Sequence, residues 1–199
     1  MIKFGEGYCL VISILLALVL TGINPEADRA TWLMEVTPIF ILLPLTLYFQ
    51  PKLLLSPWTL RLMTLHAFVL MVGGHYTYAE VPVGEWLRDG LNLTRNPYDR
   101  FGHFMQGFVP AFIYRELLLK KTSLKENLFF HVVILSFCLS FSALYEMLEW
   151  AAALAMGQGA DAFLGTQGDQ WDTQWDMFLA LVGAVAALPL ARTLQKAKN

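Results

Sequence analysis

From Leu128 to Tyr145 the chain runs through Leu-Phe-Phe-His-Val-Val-Ile-Leu-Ser-Phe-Cys-Leu-Ser-Phe-Ser-Ala-Leu-Tyr, in which His131 is the single titratable base and no carboxylate occurs. A run of that kind is close to the roughly 20 residues needed to cross about 30 Å of hydrocarbon, and lipid offers no partner to backbone polar groups, so it must be a helix. Five further runs share the character, and the spacing predicts six transmembrane helices at 8–23, 32–49, 58–78, 97–119, 128–156 and 173–190. The chain of 199 residues is 56% hydrophobic and 15% charged, which excludes an ordinary soluble domain and fits one all-α transmembrane domain over residues 1–199. The first run resembles a signal peptide, but Thr21-Gly22-Ile23-Asn24-Pro25 is a poor cleavage site, and an uncleaved helix is expected.

Basic residues set the orientation. Lys3, Lys52, Arg61, Arg115, Lys120, Lys121, Lys125, Arg192, Lys196 and Lys198 fall at alternate connections and both ends; Arg29, Arg88, Arg95 and Arg100 fall on the other side. The split predicts both termini on the cytoplasmic side of the membrane. Carboxylates do the reverse: apart from Glu6, Glu116 and Glu126, all of them lie on the outer side or in outer helix halves. The net charge of −2 and the lack of a basic block exclude a nucleic-acid partner. Cys9 and Cys138 sit inside apolar runs without a CxxC neighbour, so packing rather than a disulfide or zinc site is expected.

The outer connection at 79–96 carries Val83, Trp86, Leu87 and Leu91 at helical spacing, with Glu85, Arg88 and Asp89 on the opposite face. This pattern predicts a short amphipathic helix lying in the outer interface. Gly157-Gln158-Gly159 and Gly165-Thr166-Gln167-Gly168 are the glycine-rich stretches. Pro38, Pro44 and Pro110 are expected to kink their helices.

Four polar segments reach the same outer leaflet. Gly73-Gly74-His75 closes the third span; paired glycines permit close helix approach, and His75 is either a site residue or part of an aromatic belt. Asn96-Pro97 begins the fourth span, with Asn96 as the cap. Asp99, His103 and Gln106 follow on one face. Asp99 in a first turn also has the plainer use of complementing the helix dipole. In the fifth span Glu146 and Glu149 share a face with Ser142, and carboxylates at that depth require a cation, a proton or water. Asp169 caps the last span, Asp172 and Asp176 share a face, and Asp176 is the deepest; Trp171 and Trp175 fit interfacial anchors. Glu35 at the outer edge of the second span either joins the cluster or, the favoured reading, is a first-turn carboxylate, and His66 and His131 read as packing histidines without an acidic neighbour.

Imidazole and carboxylate ligands from facing helices are how bundles build metal sites. The set predicts a divalent metal (zinc, manganese or iron) held by Asp99, His103, Glu146 and Asp176, with Glu149 or His75 as general base. The corresponding activity is a metal-assisted hydrolase or transferase acting on a lipid or cell-envelope substrate. A proton- or cation-coupled carrier and a non-catalytic membrane subunit with a structural polar network are the alternatives.

His75-Tyr76-Thr77-Tyr78-Ala79, the segment from Asn96 to Phe104, Ser142 to Trp150 and Gly165 to Met177 resemble the YjdF family of bacterial inner-membrane proteins over nearly the whole chain. The resemblance implies a multi-pass inner-membrane location and no established activity. A looser similarity is to VanZ-like membrane proteins, whose Asp…His, Glu and Asp…Asp positions would fall on Asp99 and His103, Glu146, and Asp172 and Asp176, ahead of Gly183. Met177 stands where those proteins have a polar residue.

Overall fold

The computed structural model describes residues 4–156 and 166–195. Lys3, Lys196, Lys198, Gly157, Gly159 and Gly165, used in the sequence reading, lie outside the described residues. The described residues are helical, with no strand: α1 (Phe4–Ile23), α2 (Arg29–Leu53), α3 (Pro57–Tyr76), a 3₁₀ turn (Tyr78–Glu80), α4 (Pro82–Leu91), α5 (Tyr98–Lys121), α6 (Leu128–Met156) and α7 (Asp172–Leu194). Among the described residues, four stretches are long and apolar enough to cross a membrane: Gly5–Ile23, Arg29–Leu53, Leu128–Ala155 and Asp172–Leu194. α3 and α5 have comparable lengths of 20 and 24 residues. α5 is less apolar because Asp99, His103, Gln106, Arg115 and Glu116 are in it, all of them buried.

Two of the helix starts follow from capping. Asp28 accepts from Ala30 N and Thr31 N at 2.8 and 3.0 Å, and those bonds, with the Thr31 hydroxyl, hold its carboxyl below the usual carboxylate range. Ser56 accepts from Thr59 N and Pro57 follows it, an arrangement suited to a first turn. α2 starts three residues before the expected span and ends four after it, running through Pro38, Pro44 and Pro51.

The helices form two groups. α1, α2 and α3 pack around Ile14, Leu18, Val36, Ile39, Ala67 and Met71; α5, α6 and α7 pack around Phe112, Phe130, Ile134, Cys138 and Ala184. α3 against α5 joins them. Between apolar helices in lipid, association depends on close packing, which small residues allow. The α5–α7 seam is built that way, with Gly107, Ala180, Gly183, Ala184 and Ala187. Gly74 likewise lets α3 approach α2, where a Cβ would come within 2.8 Å of Glu35 Cβ. Both cysteines are free, Cys138 buried in the second core and Cys9 exposed.

α4 presents Val83, Trp86, Leu87 and Leu91 to the exterior. An exposed apolar face on so short a helix suits an interfacial position. It is tethered through Asn96, which is fully buried: Asn96 Nδ2 donates to Val81 O and Glu85 Oε1, both at 3.0 Å, and its Oδ1 accepts from Tyr98 N at 3.0 Å. Asn96 therefore steadies the start of α5 from one residue before the N-cap position, which Pro97 occupies in place of the expected Asn96, and anchors α4 as well.

Candidate functional site

The starts of α5 and α7 and the last turns of α6 lie at one end of the bundle. α5 and α7 run parallel from that end, so first-turn residues of both meet, and α6 returns to it. His103, buried one turn into α5, is the centre of the meeting. Its Nε2 lies 3.5 Å from Asp99 Oδ1 and 3.8 Å from Asp176 Oδ1. Its Nδ1 lies 3.0 Å from Gln106 Oε1 and 3.7 Å from Glu146 Oε1. Asp99, His103 and Asp176 each offer one ligand atom, and these atoms lie within 4.8 Å of one another.

Both ring nitrogens face oxygens. Either the ring carries two protons among three carboxylates, or Nδ1–H donates to Gln106 while Nε2 gives its lone pair to a cation beside Asp99 and Asp176. Two atoms bear on that choice. Asp176 Oδ1 and Glu146 Oε1 are buried and have no hydrogen-bond donor among the described residues. Their side chains are 4% and 7% exposed, so water does not compensate them from outside. A buried, unpaired carboxylate oxygen is costly unless a cation or proton meets it.

The sequence reading put Glu146 and His75 in the same constellation, and the geometry separates them from the three-residue core. Glu146 Oε1 lies 3.7 Å from His103 Nδ1, and Glu146 is outside the group of three whose ligand atoms lie within 4.8 Å of one another. His75 is turned toward α1: its Nδ1 is 2.9 Å from Thr21 O, and its backbone carbonyl accepts from Ala27 N at 2.9 Å. It holds the α1–α2 turn instead of reaching α5. Glu149 is half-buried and lines the cavity beside the cluster.

Three participants were not legible as such. Arg95, in the α4–α5 connection, is 7% exposed and bridges Asp99 Oδ2 at 2.9 Å and Asp172 Oδ1, with Asp169 Oδ2 at 3.8 Å. Burial pushes the guanidinium pKa down, but the hydrogen bond and charge of Asp172 and the charge of Asp99 more than offset it, so the group stays cationic. The second is Glu35. It was read as a first-turn carboxylate, but α2 begins earlier, and Glu35 lies almost two turns in, 4% exposed, with Oε2 3.5 Å from the Tyr145 hydroxyl on α6. His66 is the third: it lines the cavity, and its buried Nε2 has no hydrogen-bond partner among the described residues. Asp169, expected to cap α7, instead accepts from Trp171 N at 2.9 Å and pairs with Arg100 at 3.2 Å.

Thr77, at φ +65°, turns the chain sharply after α3 and delivers Tyr78 against Gly73 of α3 and Gly102 of α5. Tyr98 donates its hydroxyl to Val69 O at 3.0 Å. These contacts join α3 to α5 beside the cluster. Trp171 and Trp175 are exposed, as interfacial anchors should be, with the Arg100 guanidinium 5.2 Å from the Trp175 ring.

Residues 7–197 match the family described as "Predicted membrane protein (DUF2238)". The chain belongs to this family. It is similar to the Inner membrane protein YjdF of Escherichia coli (strain K12), at 51% identity over 177 residues that cover 89% of this chain and 84% of that protein. No solved structure matches it. The chain is thus a predicted multi-pass membrane protein.

A second polar group occupies the opposite end. Arg115 donates to Glu126 Oε2 at 3.0 Å and to Gln195 Oε1 at 2.8 Å; Glu116 accepts from the Thr59 hydroxyl at 2.5 Å and Ser56 N at 2.8 Å. Glu126 Oε1 lies 3.8 Å from His131 Nε2, so His131 does have an acidic neighbour, brought over by the α5–α6 loop. Unlike Asp176 and Glu146, the carboxylates at this end all have donors, which marks the group as structural.

Proposed function

We propose that this protein is a six-span bacterial inner-membrane protein with cytoplasmic termini and a periplasm-facing metal site that performs hydrolysis or group transfer on a lipid or cell-envelope substrate. Counting α3 and α5 as spans rests on their length and on the burial of α5's polar groups, which removes them from contact with lipid. The inner-membrane location follows from the similarity to the Escherichia coli inner membrane protein. The orientation follows the alternation of basic residues.

The observation that carries the activity is the pair of buried oxygens without donors, Asp176 Oδ1 and Glu146 Oε1, on either side of His103. A divalent ion held by Asp99, His103 Nε2 and Asp176 would complete the first and leave a position for water or substrate. Glu146 and Gln106, at Nδ1, would orient the ring in the way that carboxylates support metal-bound histidines. Such an ion polarises a phosphoryl or carbonyl oxygen and activates water. Glu149, on the cavity wall, is the remaining candidate for general base. Zinc, manganese and iron all accept this donor set.

Metal analysis of the wild-type protein purified in mild detergent tests the proposal. One divalent ion per chain supports it, and its absence removes the metal mechanism. One observation favours a second reading, a cation-coupled carrier: the cavity extends along α2 from Glu35 to Gln50, far beyond the cluster. Transport into proteoliposomes driven by a proton gradient would favour that reading.

A further inference from the structure

The cavity beside the cluster has a volume of about 690 Å³ and an apolar body. Ile14 of α1, Leu42 and Leu43 of α2, Ala67 of α3, Ile113 of α5 and Phe141 of α6 form much of its wall. Its carboxylates gather at one end, where Glu35, Asp99 and Glu149 face it together with His103 and Tyr145. Gln50 marks the other end. Glu35 and Gln50 are fifteen residues apart on one helix, about 22 Å at 1.5 Å per residue. A lipid chain in one leaflet covers half of about 30 Å of hydrocarbon, so the cavity is long enough to take one whole.

One long side of the cavity is open. α2 and α6 flank it and do not pack against one another along their lengths; the helix pairs that do are α1–α3, α2–α3, α3–α5, α5–α6, α5–α7 and α6–α7. Leu42 and Leu47 line the cavity and are nevertheless 45% and 51% exposed, so α2 borders an open side of it. The two flanks meet at the site end, where the Tyr145 hydroxyl stands 3.5 Å from Glu35 Oε2. In a bilayer such an opening faces acyl chains rather than water.

The wall also selects among heads. Glu35, Asp99 and Glu149 line it, and no Lys or Arg does among the described residues. Arg95 is committed to Asp99 and Asp172 behind the wall. Apart from the ion proposed at Asp99, His103 and Asp176, a phosphate head would meet Glu35 and Glu149 with no facing Lys or Arg; an ammonium head seated at those two carboxylates would meet its complement.

We propose that the cavity is the binding site for a long-chain amphiphile with a cationic, amine-bearing head, which enters sideways from the bilayer between α2 and α6, lays its chain along α2 and α5, and seats its head at Glu35 and Glu149. This rests on the reading of the cluster as the reacting end of the cavity and names the class of molecule it works on.

The test uses a long-chain alkylamine with a mid-chain diazirine, and the alkyl phosphate of equal length, added to the full-length protein in phosphatidylcholine nanodiscs. After irradiation, adducts are mapped by peptide mass spectrometry. The amine is expected to label the cavity faces of α2 and α5 saturably, and the phosphate to label them roughly tenfold less, the change produced by about 1.4 kcal/mol of lost binding. Leu42→Trp and Ile113→Trp each fill the chain position and should cut amine labelling by a similar factor; having both keeps the test valid if one fails to fold. Equal labelling of the cavity and of the lipid-facing side of α1 overturns the proposal. So does equal labelling by the two probes, or labelling unchanged in a folded Trp variant. Repeating the experiment with a chelator separates this inference from the metal: selective labelling of protein without metal keeps the amphiphile site and removes the metal mechanism, and metal-loaded protein without selective labelling does the converse.

Discussion

Gly107 on α5 lies directly against the backbone carbonyl of Ala180 on α7, so that any Cβ at position 107 would collide with that oxygen. Four residues earlier on each helix stand His103 and Asp176, 3.8 Å apart. The helices are parallel, so the glycine contact fixes the separation one turn nearer the site end. Gly183 repeats the contact against Phe104 O. The seam that packs the two helices is thus also what sets the spacing of the candidate ligands.

Gly107→Ala should therefore act on stability and site together. Forcing a methyl group into the seam is expected to cost about 1–3 kcal/mol. The displaced α7 should also lower affinity for a divalent ion by about tenfold to a hundredfold, the range seen when the support of a ligand is disturbed. Thermal unfolding in detergent and metal titration of the same sample measure the two effects. Unchanged metal affinity in a destabilised Gly107→Ala protein would show that the seam does not position Asp176.

Asp176→Asn and His103→Ala are expected to abolish stoichiometric divalent metal while leaving the helical content intact. Asp176→Asn is nearly isosteric, and it relieves a buried carboxylate oxygen that has no donor. If the metal reading holds, this variant loses the ion without losing stability in the metal-free state. Comparing unfolding of both proteins in chelator checks that point.

Removing Arg95 should be far more damaging. Arg95→Met leaves Asp99 and Asp172 buried without their cation, and breaking a buried pair from one side costs about 3–5 kcal/mol. Adding Asp172→Asn to Arg95→Met should restore part of the loss, because the second change removes one of the orphaned charges. A double variant no better than Arg95→Met would refute the pairing as the source of stability. The measurement is the unfolding midpoint of the single and double variants.

Glu126 gives the pH dependence at the opposite end. Burial raises its pKa, but the Arg115 hydrogen bond and the charges of Arg115, Arg192 and His131 outweigh it, so the folded value lies below the ordinary 4.5. The sign follows: the stabilisation is complete above pH 4.5 and is lost as the pH falls through the lowered folded value. Glu126→Gln should cost about 1 kcal/mol at neutral pH, a modest figure because the group is partly solvated. The difference from wild type should vanish in acid. A gap that persists below the folded value would point to packing rather than charge.

Much of the site was legible because helical periodicity relates residues on one element. Asp99, His103 and Gln106 were assigned to one face of α5, and all three are buried around the same imidazole. What periodicity cannot supply is the rotation of one helix about its axis relative to the next. His75 lies at the same end of the bundle as His103, but its face of α3 turns to Thr21. Glu35 is the reverse case: the sequence signalled α2 three residues late, and the carboxylate that looked like a first-turn residue lies inside the bundle. Arg95 sits in a connection, where no period exists to show which way a side chain points.

The sequence alone determined what must be helix, because apolar stretches of this length leave the backbone no partner but itself. It also determined the short amphipathic helix, whose apolar and charged faces separate at a period of 3.6 residues. The tertiary structure decided which polar groups face one another. That required the small-residue seam between α5 and α7, the fold-back of Tyr78 at Thr77, and the gap between α2 and α6, all of which arise from contacts between residues distant in sequence. Local chemistry fixes an element and its faces; packing between elements fixes which faces meet.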